Sequence, residues 1–285
     1  MLYIIILRNL SQHFDEMNKI FNSDYIHGYT TAEQDRLIRQ ADYWKEKLIL
    51  RNLEFNEEKH LLEIGCGVGA VLGILGTTFP NLQLSGIDLQ PKQIECASRH
   101  LEQLGLLNTN LKVGNIQQLP WDKNQFDYVY GIWILEHIQD PIEPLQEAYR
   151  VLKPGGKIIL NETDLMTLLL YPHSPDYQYL QQALWDLLAQ HGNPYIARRF
   201  GALLEKTGFE YVTNTPWAFH FRKQELRKFI DYVDEWLTPT LPQMIEQLGK
   251  DSFRLETGLD FFRNLPNHPE ASATLVVYRA EGRKL

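Results

Sequence analysis

Glu63-Ile64-Gly65-Cys66-Gly67-Val68-Gly69 stands where the apolar run HLLEIG (60–65) gives way to the helical pattern VLGILGTTF (71–79). A chain that leaves a buried strand and enters a helix within so few residues must bend sharply, and glycine tolerates the backbone angles this needs. It also lets main-chain N–H groups at a helix start approach a ligand closely. Working outward, the alternation repeats. LQLSGID (82–88) has a strand pattern and QIECASRHLEQLG (93–105) a helical one ending at Gly105. LKVGN (111–115) and FDYVYGIW (126–133) come next as strands. A helix then runs to the Lys153-Pro154-Gly155-Gly156 turn, and KIILNE (157–162) forms a fifth strand. Strands alternating with helices predict right-handed crossovers and a doubly wound, mostly parallel sheet.

Upstream, TTAEQDRLIRQADYWKEKLILR (30–51) predicts one helix, with Thr30 and Glu33 at capping-box spacing and Leu37, Ala41, Trp44 and Leu48 on one face. Downstream the regularity loosens. Residues 171–192 predict a loop leading into an amphipathic helix, and 197–208 a second helix. FEYVTNTPWAFHF (209–221) reads as a sixth strand, 224–262 as helical, and SATLVVYRA (272–280) as a seventh strand. The expected layout is therefore an α/β seven-stranded sheet in three parts. Residues 1–55 are an N-terminal extension and lid helices, 56–165 a ligand-binding core, and 166–285 the rest of the sheet. That last part carries helical insertions at about 166–195 and 222–265, which cap the ligand edge. Residues 1–16 look unrelated to the rest of the chain, and Met17 is an alternative start.

Composition narrows the function classes. With 28 basic against 36 acidic residues, the net charge of −8 disfavours a partner bound through phosphates, so no nucleic acid is expected. No apolar stretch is long enough to span a bilayer, and no membrane partner is expected. Cys66 and Cys96 make neither a disulfide framework nor a four-ligand zinc site, which fits a reducing cytoplasm and no metal. Asp88 follows Gly65 by 23 residues, at the end of the next strand, where a carboxylate can accept both hydroxyls of a ribose. Turn and carboxylate together point to an adenosine-containing ligand. Gly65, Gly67 and Ala70 also satisfy the dinucleotide fingerprint, which keeps an NAD-dependent oxidoreductase open.

These residues resemble the class I S-adenosylmethionine-dependent methyltransferases, whose first motif usually has the form E/D-x-G-x-G-x-G. The resemblance extends to GID ending at Asp88, to GNIQQLPW (114–121), to FDYVYGIWILEHIQD (126–140) and to LKPGGKIILNE (152–162). It covers roughly residues 60–162. One departure is Asn115, where the family commonly has aspartate; an amide can still meet an adenine edge.

The resemblance implies S-adenosylmethionine as cofactor, S-adenosylhomocysteine as product and a small-molecule acceptor methylated on O, N or C. The expected cofactor contacts are Tyr25, Tyr29, Glu63, Gly65, Cys66, Gly67, Asp88, Leu89, Gln93, Asn115, Ile116, Tyr130, Gly131 and Trp133. His137 is the expected proton acceptor, since histidine suits that work near neutral pH. Substrate contacts are expected from Trp133, Tyr171, His173, Trp217 and Trp236. Arg36, Arg39 and Gln40 could reach the donor's carboxylate but read first as a solvated helix face, and Glu136 reads as a neighbour of His137 without a part in the chemistry. An assembly of like chains, a non-catalytic cofactor-binding module and a lipid-precursor or protein acceptor stay open, because the cap and not the core chooses the acceptor.

Overall fold

The computed structural model describes residues 28–55 and 58–285; Tyr25 and the Met17 question lie outside them. Helix α1 (Thr31–Trp44) starts at Thr30, whose side-chain oxygen accepts the Glu33 N–H at 3.2 Å. It runs on as a wider turn over Lys45–Ile49. Only half of the expected capping box forms, because the Glu33 carboxylate is taken by Arg36.

The alternating core is present as expected: β1 (His60–Ile64), α2 (Ala70–Thr78), β2 (Gln83–Asp88), α3 (Pro91–Gln103), β3 (Asn110–Val113) and β4 (Phe126–Ile132). Then come a short turn of helix at Leu135–His137, α4 (Ile142–Val151), β5 (Leu152–Tyr171), α5 (Pro175–His191), α6 (Ile196–Lys206) and β6 (Glu210–Arg222). The chain ends with α7 (Lys223–Leu237), α8 (Leu241–Glu246), α9 (Ser252–Asn264) and β7 (Ser272–Arg283).

The seven strands form one sheet in the order β3-β2-β1-β4-β5-β7-β6. Pairing is parallel from β3 through β5, but β7 runs antiparallel to both β5 and β6. The sheet is thus mixed. The last helices deliver the chain to the end of the sheet where β5 and β6 finish, so β7 inserts between them in reverse and no crossover is needed. The strand order reverses at β1 and β4, which opens a cleft at their carboxyl ends.

Strand β5 is the larger surprise, with 20 residues against the six expected. The polar run Asn161-Glu162-Thr163-Asp164 resembles a strand end, yet all four side chains are buried and the strand continues, with a register break between Asp164 and Leu169. Asp164 is matched there by Arg198 of α6. Apolar layers cover both faces. One joins α1, α2, α5, α7 and α9 around Trp44, Phe229 and Phe262; the other joins α4 and α6 around Leu145 and Phe200.

Candidate active site

The glycine bend sits at the switch point of the sheet. Gly65 and Gly67 both adopt positive φ, 68° and 49°, a conformation costly for residues with a Cβ. At Gly65 a Cβ would also lie 2.6 Å from the Ile134 side chain, whereas at Gly67 it would meet nothing within 4 Å. The bend is therefore packed from behind and open in front. Asp88 faces it: Oδ2 accepts the Gly67 N–H and Oδ1 the Gln90 N–H, both at 2.9 Å. Burial pushes the Asp88 carboxyl up from its ordinary value, and these two donors pull it back.

In front of the bend lies a cavity of about 440 Å³, within the usual range for small-molecule sites. Glu63, near the carboxyl end of β1, borders it with Oε2 buried and without a partner. Burial raises its pKa well above normal; the Leu72 N–H works against that and Asp88 adds to it. Cys66 lies in the same wall, its thiol held neutral by burial, so no redox part is indicated. Trp133, at the end of β4, takes φ 51°, rare for an aromatic residue, and its indole N–H donates to Thr163 Oγ at 3.0 Å. A residue held off its preferred geometry at a cleft is a mark of a functional wall.

Most expected contacts meet at this cavity. Tyr29, Glu63, Gly65, Cys66, Gly67, Asp88, Leu89, Gln93, Asn115, Ile116, Trp133, Trp236 and His137 all line it. Two are partly engaged already. Asn115 Oδ1 accepts the Gln117 N–H at 2.9 Å, and Gln93 Oε1 accepts from Gln34 Nε2 at 3.0 Å, which ties α1 to α3.

Other expectations are corrected. Tyr130 is wholly buried beneath the cavity, its hydroxyl accepting from Asn161, and Gly131 packs between Leu160 and Ile64 inside the sheet. Tyr171, the last residue of β5, and His173 just after it are exposed, because that strand carries them beyond the site. Trp217 stacks on Arg51 and Arg279 instead. Of the remaining ring side chains in this part of the chain, Tyr177 stacks on Phe262 in the core, Phe253 is exposed and His220 meets Thr274.

Several lining residues were read from the sequence first in other roles. Arg36 is 5% exposed, not solvated; its guanidinium grips both Glu33 oxygens and reaches Gln40 Oε1 at 2.6 Å. Arg39 does stay on the surface, against Glu235. Glu136 lines the cavity beside His137, its Oε1 3.6 Å from His137 Nε2. The turn carrying both is braced by the segment after α5: the Asn193 N–H donates to the Glu136 carbonyl at 2.8 Å. A Cβ at Gly192 would fall 1.9 Å from that carbonyl oxygen, so the close approach needs glycine. Leu168, Phe229, Val233 and Leu275 close the apolar end. Their helical or strand spacing marks them only as core.

Comparison with known proteins bears on this geometry. Residues 62–160 match the family described as "Methyltransferase domain".

Those residues form a methyltransferase domain. It is of the class I, S-adenosylmethionine-dependent type, and the strand order and glycine bend agree with that. The chain is 30% identical over 179 residues to an uncharacterized 37.1 kDa transposon protein of Streptomyces fradiae, covering 62% of this chain but only about half, 51%, of that relative. It is 26% identical over 231 residues to a demethylmenaquinone methyltransferase of Geobacillus kaustophilus, 75% of this chain and 91% of the relative. In fold it is similar to phosphoethanolamine N-methyltransferase 2 of Haemonchus contortus, with TM-score 0.59, 17% identity, and 93% and 60% of the two chains covered. The methyltransferase domain ends within β5, so the apolar end of the cavity is built largely outside the matched segment.

Proposed function

We propose that the chain transfers a methyl group from S-adenosylmethionine to a small, largely apolar acceptor. The observation that carries this reading is the open cradle at Gly67 with the Asp88 carboxylate turned toward it from the end of the neighbouring β2. The residues present fit the cofactor. Each Asp88 oxygen keeps acceptor capacity for a ribose hydroxyl, and the unpartnered Glu63 Oε2 offers an acceptor to an amino group. Arg36, anchored on Glu33, stands across the cavity as a counterion for a carboxylate. Ile116 and Leu89 offer apolar faces to an adenine ring.

S-adenosylmethionine supplies a methyl group on a positively charged sulfur. The protein's work is then alignment and exclusion of water rather than strong charge stabilisation. Trp133, Trp236, Leu168 and Val233 present a largely apolar surface to the acceptor, and α1 and α7 close over it. His137 stands at the acceptor side of the cofactor wall, placed to hold or receive a proton. The menaquinone precursor named for the Geobacillus relative supports an apolar small molecule as the acceptor class. The acidic net charge supports keeping nucleic acid out of that class.

The test is calorimetry with S-adenosylhomocysteine and NAD in parallel, then a metabolite-extract screen with methyl-labelled donor. Binding of S-adenosylhomocysteine with a roughly micromolar Kd is expected. Binding of NAD with no response to S-adenosylhomocysteine overturns the reading.

A further inference from the structure

The stripe of α7 that borders the cavity carries Phe229, Tyr232, Val233 and Trp236, at the three- and four-residue spacing of one helix face. Beside it, α1 sets Arg36, Gln40 and Trp44 along the same cavity, four residues apart. Rings join the two helices. Tyr43 lies parallel to Tyr232, with 5.0 Å between centroids and 10° between planes, and Trp44 meets the same tyrosine edge-on at 6.1 Å. Tyr232 is thus held by two rings of α1, so packing sets the place of its hydroxyl.

The groups that act on that hydroxyl come from α1, α7 and the turn after β4, and all of them border the cavity. Trp44 and Trp236 bring indole N–H groups toward it, while Arg36 and Glu136 act on it with opposite charges. Burial keeps it neutral, with its pKa pushed up to about 12. Trp44 is 1% exposed, and its Nε1 is shut from solvent without a hydrogen-bond partner, so it approaches Tyr232 too loosely to close a bond. An indole N–H can only donate. With donors on the side of its lone pairs, the tyrosine is left to donate its own proton. Elsewhere at this end the Trp133 N–H is already given to Thr163, and Leu168, Phe229, Val233 and Leu275 carry no side-chain hydrogen-bonding group.

We propose that the Tyr232 hydroxyl donates to an oxygen of the acceptor, and that the acceptor is an apolar body carrying a carbonyl or phenolic oxygen. This rests on the methyltransferase reading above and narrows its acceptor class. Arg36 and Glu136 offset each other around the hydroxyl, so a neutral donor there suits a neutral oxygen. An oxygen that takes the Tyr232 proton makes the tyrosine oxygen a stronger acceptor in turn, which draws in the Trp44 N–H, since hydrogen bonds in a chain polarise one another. Tyr232 is then the residue that reads the acceptor, and Trp44 a positioning residue behind it. Such a pair discriminates more sharply than apolar surface alone, because an analogue without the oxygen leaves buried polar groups unpaired.

The test uses the full chain saturated with S-adenosylhomocysteine and two pairs of probes matched in shape, acetophenone with cumene and p-cresol with p-xylene, followed by ligand-observed NMR. Each oxygen-bearing probe is expected to bind about fivefold or more tightly than its hydrocarbon match, the scale of one neutral hydrogen bond. In Tyr232→Phe the oxygen-bearing probes are expected to fall to the affinity of the hydrocarbons, while the hydrocarbons and S-adenosylhomocysteine stay within about twofold. Trp44→Phe keeps an aromatic body and is expected to narrow the preference by about twofold without abolishing it. Equal affinities in the unsubstituted chain, or a preference that survives Tyr232→Phe, overturn the proposal. A parallel loss of both kinds of probe in Tyr232→Phe overturns it as well, since that marks a part in shape alone. A preference unmoved in Trp44→Phe overturns the positioning role of Trp44. Failure of S-adenosylhomocysteine to bind the unsubstituted chain counts against the cofactor reading instead.

Discussion

Asp88 shows how a single carboxylate can serve the fold and the site together. Its oxygens hold the Gly67 and Gln90 N–H groups, fixing the bend, while the same oxygens face the cavity. Asp88→Ala is expected to weaken S-adenosylhomocysteine by roughly 1 to 3 kcal/mol through ribose hydroxyls left unpaired, measured by calorimetry. An unchanged Kd removes Asp88 from the site. Glu63, Asp88 and the glycines were legible because their spacing is set by one strand, one turn and the next strand. Arg36, Glu136 and Glu162 were not, since a charged residue on an amphipathic helix or at a strand end looks solvated until its partner or its burial is known. Glu136 makes a second prediction. Glu136 holds its proton more tightly folded than unfolded, with its pKa raised from 4.5 to about 7. The stability it contributes is fully present below the lower value and lost as pH rises through the upper one. Glu136→Gln is expected to gain stability relative to the unsubstituted chain between about pH 5 and 8, tracked by urea midpoints across that range. A constant difference between the two proteins would show that Glu136 ionises normally.

Arg279 of β7 joins elements that meet nowhere in the sequence. It is 3% exposed and donates to Asn161 of β5, to the Leu48 carbonyl at 2.6 Å and to the Arg51 carbonyl, while Trp217 of β6 covers its guanidinium. The carbonyls left over at the end of the α1 turn thus find their donors in the sheet. Burial lowers the Arg279 pKa, yet the acceptors around it and Tyr130 keep the charge satisfied. Arg279→Met is expected to lose about 2 to 4 kcal/mol of stability, because the freed carbonyls stay buried, with the midpoint of urea unfolding as the readout. Affinity for S-adenosylhomocysteine should fall as well, since α1 supplies Arg36 and Gln40 to the cavity. Loss of stability with unaltered affinity would show that α1 keeps its place without this anchor. The helix itself was predictable from Thr30 and its apolar face. Its attachment was not, because a buried arginine in a strand has the same letter as an exposed one. The length of β5 was hidden for a related reason: Glu162 and Asp164 look like a strand end, and only their burial keeps the strand going.

At the scale of the molecule, labour is divided between a core whose motifs are local and a cap whose parts are not. β1 to β4 and their turns build the cofactor wall within a short span of chain, so pattern and spacing located it. The acceptor wall draws Leu168 from β5, Val233 and Trp236 from α7 and Leu275 from β7, which the sheet gathers only once β7 has inserted in reverse. Aromatic residues were therefore a poor guide: Trp236 reached the cavity, while Trp217 and Tyr171 went to other faces of the same sheet. If the division holds, the two walls should fail separately. Leu168 is 6% exposed and borders the apolar end, so a larger side chain there fills acceptor space without touching the glycine bend. Overpacking of this kind costs about 1 to 3 kcal/mol of stability, within what a domain of this size tolerates. Leu168→Trp is expected to keep its affinity for S-adenosylhomocysteine within about twofold, less than one lost contact would cost. Transfer of labelled methyl to acceptors in the metabolite extract should be lost in the same protein, whereas Asp88→Ala should show its main loss in S-adenosylhomocysteine affinity. A loss of S-adenosylhomocysteine affinity as large as the loss of methyl transfer in Leu168→Trp would mean that one continuous pocket, and not two walls with separate duties, serves both molecules.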